Sequence, residues 1–136
     1  MTRPSGKPAS SGRVISDMRQ ITKMAAAALH RRQMFKMANT IVDGTAMYVH
    51  GSCVAAVMPQ GIQFSMSGWP TKLTRERLNG VFDKFGLAAV LFQRKGEQLL
   101  SLPSGDQLID PDATYLLHYT DNGVLELCDY YSFIPI

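Results

Sequence analysis

The stretch SGWPTKLTRERLNGVF, residues 67–82, is where the hydrophobic period of the chain changes. Upstream of it, TAMYVHG (45–51), CVAAVMP (53–59) and IQFSMSG (62–68) alternate with a period of two and are separated by Gly51-Ser52 and by Pro59-Gln60-Gly61. That pattern predicts three short strands in a meander. From Thr71 the period becomes helical. Leu78, Val81, Phe82 and Phe85 fall in one sector, Thr71 stands where an N-cap belongs and Gly86 where a helix stops, while Arg77 and Lys84 are expected to point away from the core.

Working outward, the same rules predict a second helix from Ser16, a candidate N-cap, through DMRQITKMAAAALHRRQMFKM. Its apolar face holds Met18, Ile21, Ala25, Ala28 and Leu29, with Arg19, Lys23 and His30 on a separate stripe. Arg32 and Lys36 fall back on the apolar face, so either that face ends near Leu29 or the helix bends there. The alanine run also suits close approach of a second helix, including one from another copy. Downstream, LAAVLFQ, EQLLSL, TYLLHYT and VLELCDYY are expected strands, the last two joined by a turn at Asp121-Asn122-Gly123. The order α-βββ-α-ββββ predicts an α+β domain over residues 14–136, an antiparallel sheet with two helices mainly on one side. Residues 1–13, rich in Pro, Ser, Gly and cations, are expected to form a flexible basic arm. The apolar end CDYYSFIPI is either a final strand sealing the core, or a segment that docks on a partner or covers a basic site.

Charge is strongly segregated. Residues 1–36 carry eight Lys and Arg against one acid, and residues 37–95 carry six against three. From residue 96 onward there are seven acids and no Lys or Arg. Such a field steers polyanions to one face. At 136 residues the chain has room for one core. It contains no apolar run long enough to span a membrane, and its basic N-terminus lacks the apolar segment of a secretory signal. The expected address is the cytoplasm.

Reactive constellations are missing from the sequence pattern. The three histidines, His30, His50 and His118, share no HxxxH or HExxH spacing, and Cys53 and Cys128 form no CxxC, so no metal site and no cofactor are expected. His50 is assigned to a turn and the cysteines to buried thiols. Nucleotide-loop and GxSxG motifs are also absent. A non-enzymatic role is therefore expected. What remains is a set of cations beside flat side chains, the chemistry of single-stranded nucleic-acid binding. The candidate contacts are Arg13, Arg19, Lys23, Arg31, Arg32 and Lys36 from the front of the chain, with Trp69, Lys72, Arg75 and Arg77 as a second patch. Tyr48 and Phe92 are candidates to extend a stacking platform. Trp69, the chain's one tryptophan, has two readings: a buried anchor at the strand-to-helix corner, or a platform for a base.

Asn39-Thr40, His50-Gly51, Gly68-Trp69-x-Thr71 and Thr74-x-x-Arg77-Leu78-Asn79 together resemble a pattern of small bacteriophage proteins of unassigned function. In size and charge the chain also resembles the single-stranded-DNA-binding cofactors of podovirus transcription (Drc), which recruit a phage RNA polymerase to promoters. That resemblance implies single-stranded DNA and a phage RNA polymerase as partners, a homo-oligomer, and action in the host bacterial cytoplasm. The competing expectation is a host-takeover protein that binds and inhibits a bacterial enzyme.

Overall fold

The computed structural model describes residues 14–136, so the expected arm at residues 1–13 and the candidate contact Arg13 lie outside the described residues. The chain forms α1 (Val14–His30), β1 (Met34–Met37), β2 (Thr40–Asp43), β3 (Ala46–Val49), β4 (Ser52–Met58), β5 (Gly61–Ser65), α2 (Lys72–Lys84), β6 (Val90–Arg94), β7 (Glu97–Leu102), β8 (Gly105–Ile109), β9 (Thr114–Tyr119) and β10 (Leu125–Asp129). This is an α+β fold, as its pattern predicts, with all strand pairs antiparallel. The strands divide between two sheets. One has seven strands in the order β1-β2-β3-β4-β5-β9-β10, and the other has three, β6-β7-β8. Helix α2 and the small sheet are inserted between β5 and β9, which pair directly with Ile62 opposite Leu117. One hydrophobic core joins all layers, from Leu29 of α1 through Val42, Met47 and Phe64 of the large sheet to Phe82 of α2 and Leu100 of the small sheet.

Helix α1 begins at Val14, ahead of the expected Ser16 cap, and stops at His30 instead of running on to Met37. Its end is a Schellman arrangement: Gln33 N–H donates to Ala28 O at 2.8 Å and Arg32 N–H to Leu29 O at 3.2 Å. Arg32 occupies the left-handed position, with φ of 58°, where glycine is the usual residue. The released segment 34–37 then becomes the edge strand β1, paired with β2. Helix α2 ends by the same device at the expected place, with Gly86 at φ 72° and Leu87 N–H donating to Phe82 O at 2.8 Å.

The alanine run of α1 is consumed within the chain. Ala25, Ala26 and Ala28 are buried in the core, so this face is not available for contact with a second copy. The helices cross where Thr22 of α1 meets Gly80 of α2, and a Cβ at Gly80 would collide with the Thr22 γ-methyl. Thr22 is itself buried and its hydroxyl accepts a hydrogen bond from Arg77, so the side chain is not free to rotate away. An alanine in place of glycine inside a helix ordinarily stabilises by about 1 kcal/mol. Here Gly80→Ala is expected to destabilise the protein by about 1–3 kcal/mol, measured as a lower urea midpoint at unchanged m-value.

Candidate nucleic-acid interface

The corner around Trp69 is assembled from three turns. Strands β3 and β4 are joined by the two-residue loop His50-Gly51, both at positive φ (50° and 81°), the signature of a type I′ turn. That loop is tied to its neighbour, since His50 N–H donates to Asn39 O at 2.9 Å and the His50 ring lies 3.3 Å from the Asn39 amide nitrogen. Beyond β5, Ser67 and Gly68 also take positive φ, and Trp69 N–H closes the turn onto Met66 O at 2.8 Å. Gly68 N–H donates to Pro111 O, anchoring the turn to the loop before β9. Thr71 then caps α2, its hydroxyl accepting from Thr74 N–H at 3.2 Å.

Between the β3–β4 hairpin and the start of α2 lies a largely apolar cleft of about 530 Å³, walled by Val49, His50 and Val54 on one side and by Trp69, Thr71 and Leu73 on the other. Trp69 is 58% exposed, and its indole N–H has no hydrogen-bond partner among the described residues. That exposure excludes a fully buried anchor and leaves part of the ring packed at the corner and part open to solvent. Lys72, exposed at the first position of α2, follows three residues later, in a first turn that contains no acid. Cations without acids at a helix N-terminus suit an anionic ligand.

The other expected contacts are placed differently. Arg19, Lys23, Arg31, Arg32 and Lys36 are exposed and have no ion-pair partner among the described residues. Because Thr22 meets Arg77 and Gly80 while the His30 ring meets Phe85 edge-on at 5.0 Å, α1 and α2 run in the same direction. Arg31 and Arg32 thus sit at the far end of α2 from Trp69 and Lys72, roughly 20 Å away by the rise of a 13-residue helix. Arg75 is half-buried and engaged, its Nη1 donating to Pro70 O at 3.2 Å and to the side-chain oxygens of Gln93 and Gln98 at 3.2 and 2.9 Å. Tyr48 donates its hydroxyl to Asp43, and Phe92 lies in the small sheet under the Arg94 guanidinium; neither walls the Trp69 cleft.

Arg77 corrects the expectation of an outward-pointing phosphate contact. It is 2% exposed, donating from Nε to the Thr40 hydroxyl at 2.9 Å and from Nη1 to the Thr22 hydroxyl at 2.6 Å. Burial pulls its pKa below the ordinary arginine value, with the charge of Glu76 acting in the opposite sense. Asn79 is likewise structural: its amide accepts from Leu91 N–H at 2.7 Å and donates to Leu91 O at 3.0 Å, pairing α2 with β6 as a strand would. Burial pushes the thiols of Cys53 and Cys128 up, so neither is a ready nucleophile. Among the described residues one group of His, Cys and carboxylate side chains converges closely enough to hold a metal ion: His118, Glu126 and Cys128, none of which walls the Trp69 cleft.

The residues that build this corner, from Asn39 to Asn79, lie inside a match between residues 18–120 and the model of the Kyanoviridae Gp96 protein family. The chain belongs to that family. It is a phage protein family, in keeping with the resemblance carried by the His50-Gly51, Trp69 and Arg77-Leu78-Asn79 motifs. No curated protein and no solved structure shows a significant match. Among the described residues no helix is long and apolar enough to cross a membrane.

The roles of Arg77 and Lys72 can be separated by stability. Arg77→Met removes the contacts to the Thr22 and Thr40 hydroxyls and is expected to cost about 3 kcal/mol in urea unfolding. Lys72→Ala, at an exposed site, is expected to change stability by no more than about 0.5 kcal/mol.

Proposed function

We propose that this phage protein binds single-stranded DNA without catalysing a reaction on it, and that it acts in the host bacterial cytoplasm as a transcription cofactor recruiting a phage RNA polymerase, or in replication. The observation that carries the reading is the exposed Trp69 ring beside an apolar cleft and a cationic helix start. A base stacked on an aromatic face contributes roughly 1–3 kcal/mol and does so regardless of sequence. The cations of α1, of the turn after it and of β1, unpaired among the described residues, supply counterion release along the backbone. Two patches roughly 20 Å apart along α2 suit a strand laid over the helix pair rather than a single-point contact. With few phosphates held per protomer, useful affinity comes from several protomers acting along one strand, so homo-oligomers or cooperative binding belong to this reading.

A second reading, a host-takeover module that binds a bacterial enzyme, is favoured by the C-terminal segment. Tyr131, Phe133, Ile134 and Ile136 remain exposed although the segment folds back on β10, with Ile136 N–H donating to Leu127 O at 3.0 Å.

Trp69, as the one tryptophan, reports binding directly. Titration with oligo(dT) is expected to quench its fluorescence, and anisotropy should show a preference for single strands over duplex. Trp69→Ala is expected to weaken binding by about 5- to 150-fold with the salt slope retained. Arg31→Ala/Arg32→Ala should shallow that slope by about 1.4. Equal affinity for duplex, or no binding at low salt, would overturn the proposal and direct attention to the exposed C-terminal residues as a protein-binding surface.

A further inference from the structure

Strands β9 and β10 pair so that Glu126 stands directly opposite His118, with Cys128 two residues further along the same face of β10. The three side chains converge. His118 Nε2 is 3.0 Å from Glu126 Oε1 and 3.4 Å from Cys128 Sγ, and the sulfur is 3.7 Å from Glu126 Oε1. Zinc–donor bonds of about 2.0–2.3 Å in tetrahedral geometry make donor–donor edges of roughly 3.3–3.7 Å. The observed triangle has nearly those edges, so one ion fits against all three donors with small side-chain shifts.

An ion pair between His118 and Glu126 would by itself explain the shortest edge. It does not explain the thiol, a weak hydrogen-bonding group that gains little from two polar neighbours. The backbone around the triangle is also arranged for it. Gly61 on β5 lies beside His118, and a Cβ at that position would collide with Leu117 O and crowd the His118 Cβ. On the other edge, β10 is held by the returning C-terminal segment, through the bridge between Cys128 and Pro135 and the bond from Ile136 N–H to Leu127 O. The ligands therefore stand on paired strands rather than on loops, which fixes their separation.

We infer that His118, Glu126 and Cys128 form a binding site for a borderline divalent transition-metal ion, Zn2+ being the best match to a mixed nitrogen, oxygen and sulfur donor set. Thiolate and imidazole ligands disfavour Mg2+ and Ca2+, which take oxygen donors. On binding, the Cys128 S–H bond breaks, a metal–sulfur bond forms and the proton passes to solvent; no redox change occurs. Three protein ligands leave a fourth position for water. Glu126 and Cys128 lie beyond the span matched by the family model.

Cobalt titration of the full-length, tag-free chain tests the site. One equivalent of Co2+ is expected to give the intense visible bands of a tetrahedral complex together with a near-ultraviolet thiolate-to-cobalt band, both bleached by Zn2+ and unaffected by Mg2+. Cys128→Ser should lose the thiolate band, and Glu126→Gln, which leaves the buried thiol in place, should weaken Co2+ binding by about tenfold or more. Cys53→Ser should change nothing. A weak octahedral spectrum, no spectrum at saturating Co2+, or a thiolate band that survives in folded Cys128→Ser would each overturn the assignment.

Discussion

The Arg77 guanidinium lies between α1, α2 and β2, donating to Thr22 on one side and to Thr40 on the other. Taking a cation out of water is expensive unless its donors are satisfied. Here two threonine hydroxyls from distant parts of the chain, both buried, answer two of them. Gly80 follows on the same face of α2, one turn along, and lets the Thr22 methyl sit against the helix backbone. Asn79 then turns the other way and grips both backbone groups of Leu91. Within four residues, α2 is thereby fixed to the first helix, the large sheet and the small sheet.

Trp69 owes its position to that frame. Its backbone is held by the Met66 turn, by the cap at Thr71 and by the Gly68 bond to Pro111, while Arg77 fixes the helix that starts just beyond it. The ring is left outside as a consequence. An exposed tryptophan held by a rigid corner loses little conformational freedom on stacking, which is the condition under which a flat surface gives most affinity. In the proposed role, the exposed cations would need only to follow the backbone of a strand, with no demand for fixed geometry.

The parts of the fold that were legible in the sequence are those with a local cause. Thr71 bounds α2 through its capping hydroxyl and Gly86 through its positive φ, Leu78, Val81 and Phe82 fill the core, and the turn expected at Gly51-Ser52 forms one residue earlier, at His50-Gly51, with Ser52 opening β4. What escaped depends on partners remote in sequence. Arg77 resembles any surface arginine until Thr22 and Thr40, 55 and 37 residues away, are seen to converge on it. The end of α1 escaped because Arg32 fills a position usually marked by glycine, so β1 was absorbed into the helix. Strand β8 (GDQLI) is a largely exposed edge strand with no apolar alternation to mark it. The His118, Glu126 and Cys128 cluster needed the register across the 120–124 loop, since its spacing matches no helical or knuckle motif. Among the expected contacts, Trp69 and Lys72 come together at one end of α2, Arg31 and Arg32 stand at its far end, and Arg77 belongs to the interior.

The central claim is that a base stacks on Trp69. Photocrosslinking the intact chain to a single-stranded oligonucleotide carrying 5-iodouracil, followed by peptide mass mapping, tests it most directly. The account predicts a dominant adduct on Trp69 that an unlabelled single strand competes away. A dominant adduct on Tyr131 or Phe133, or specific crosslinking that leaves the Trp69 peptide unmodified, would contradict it.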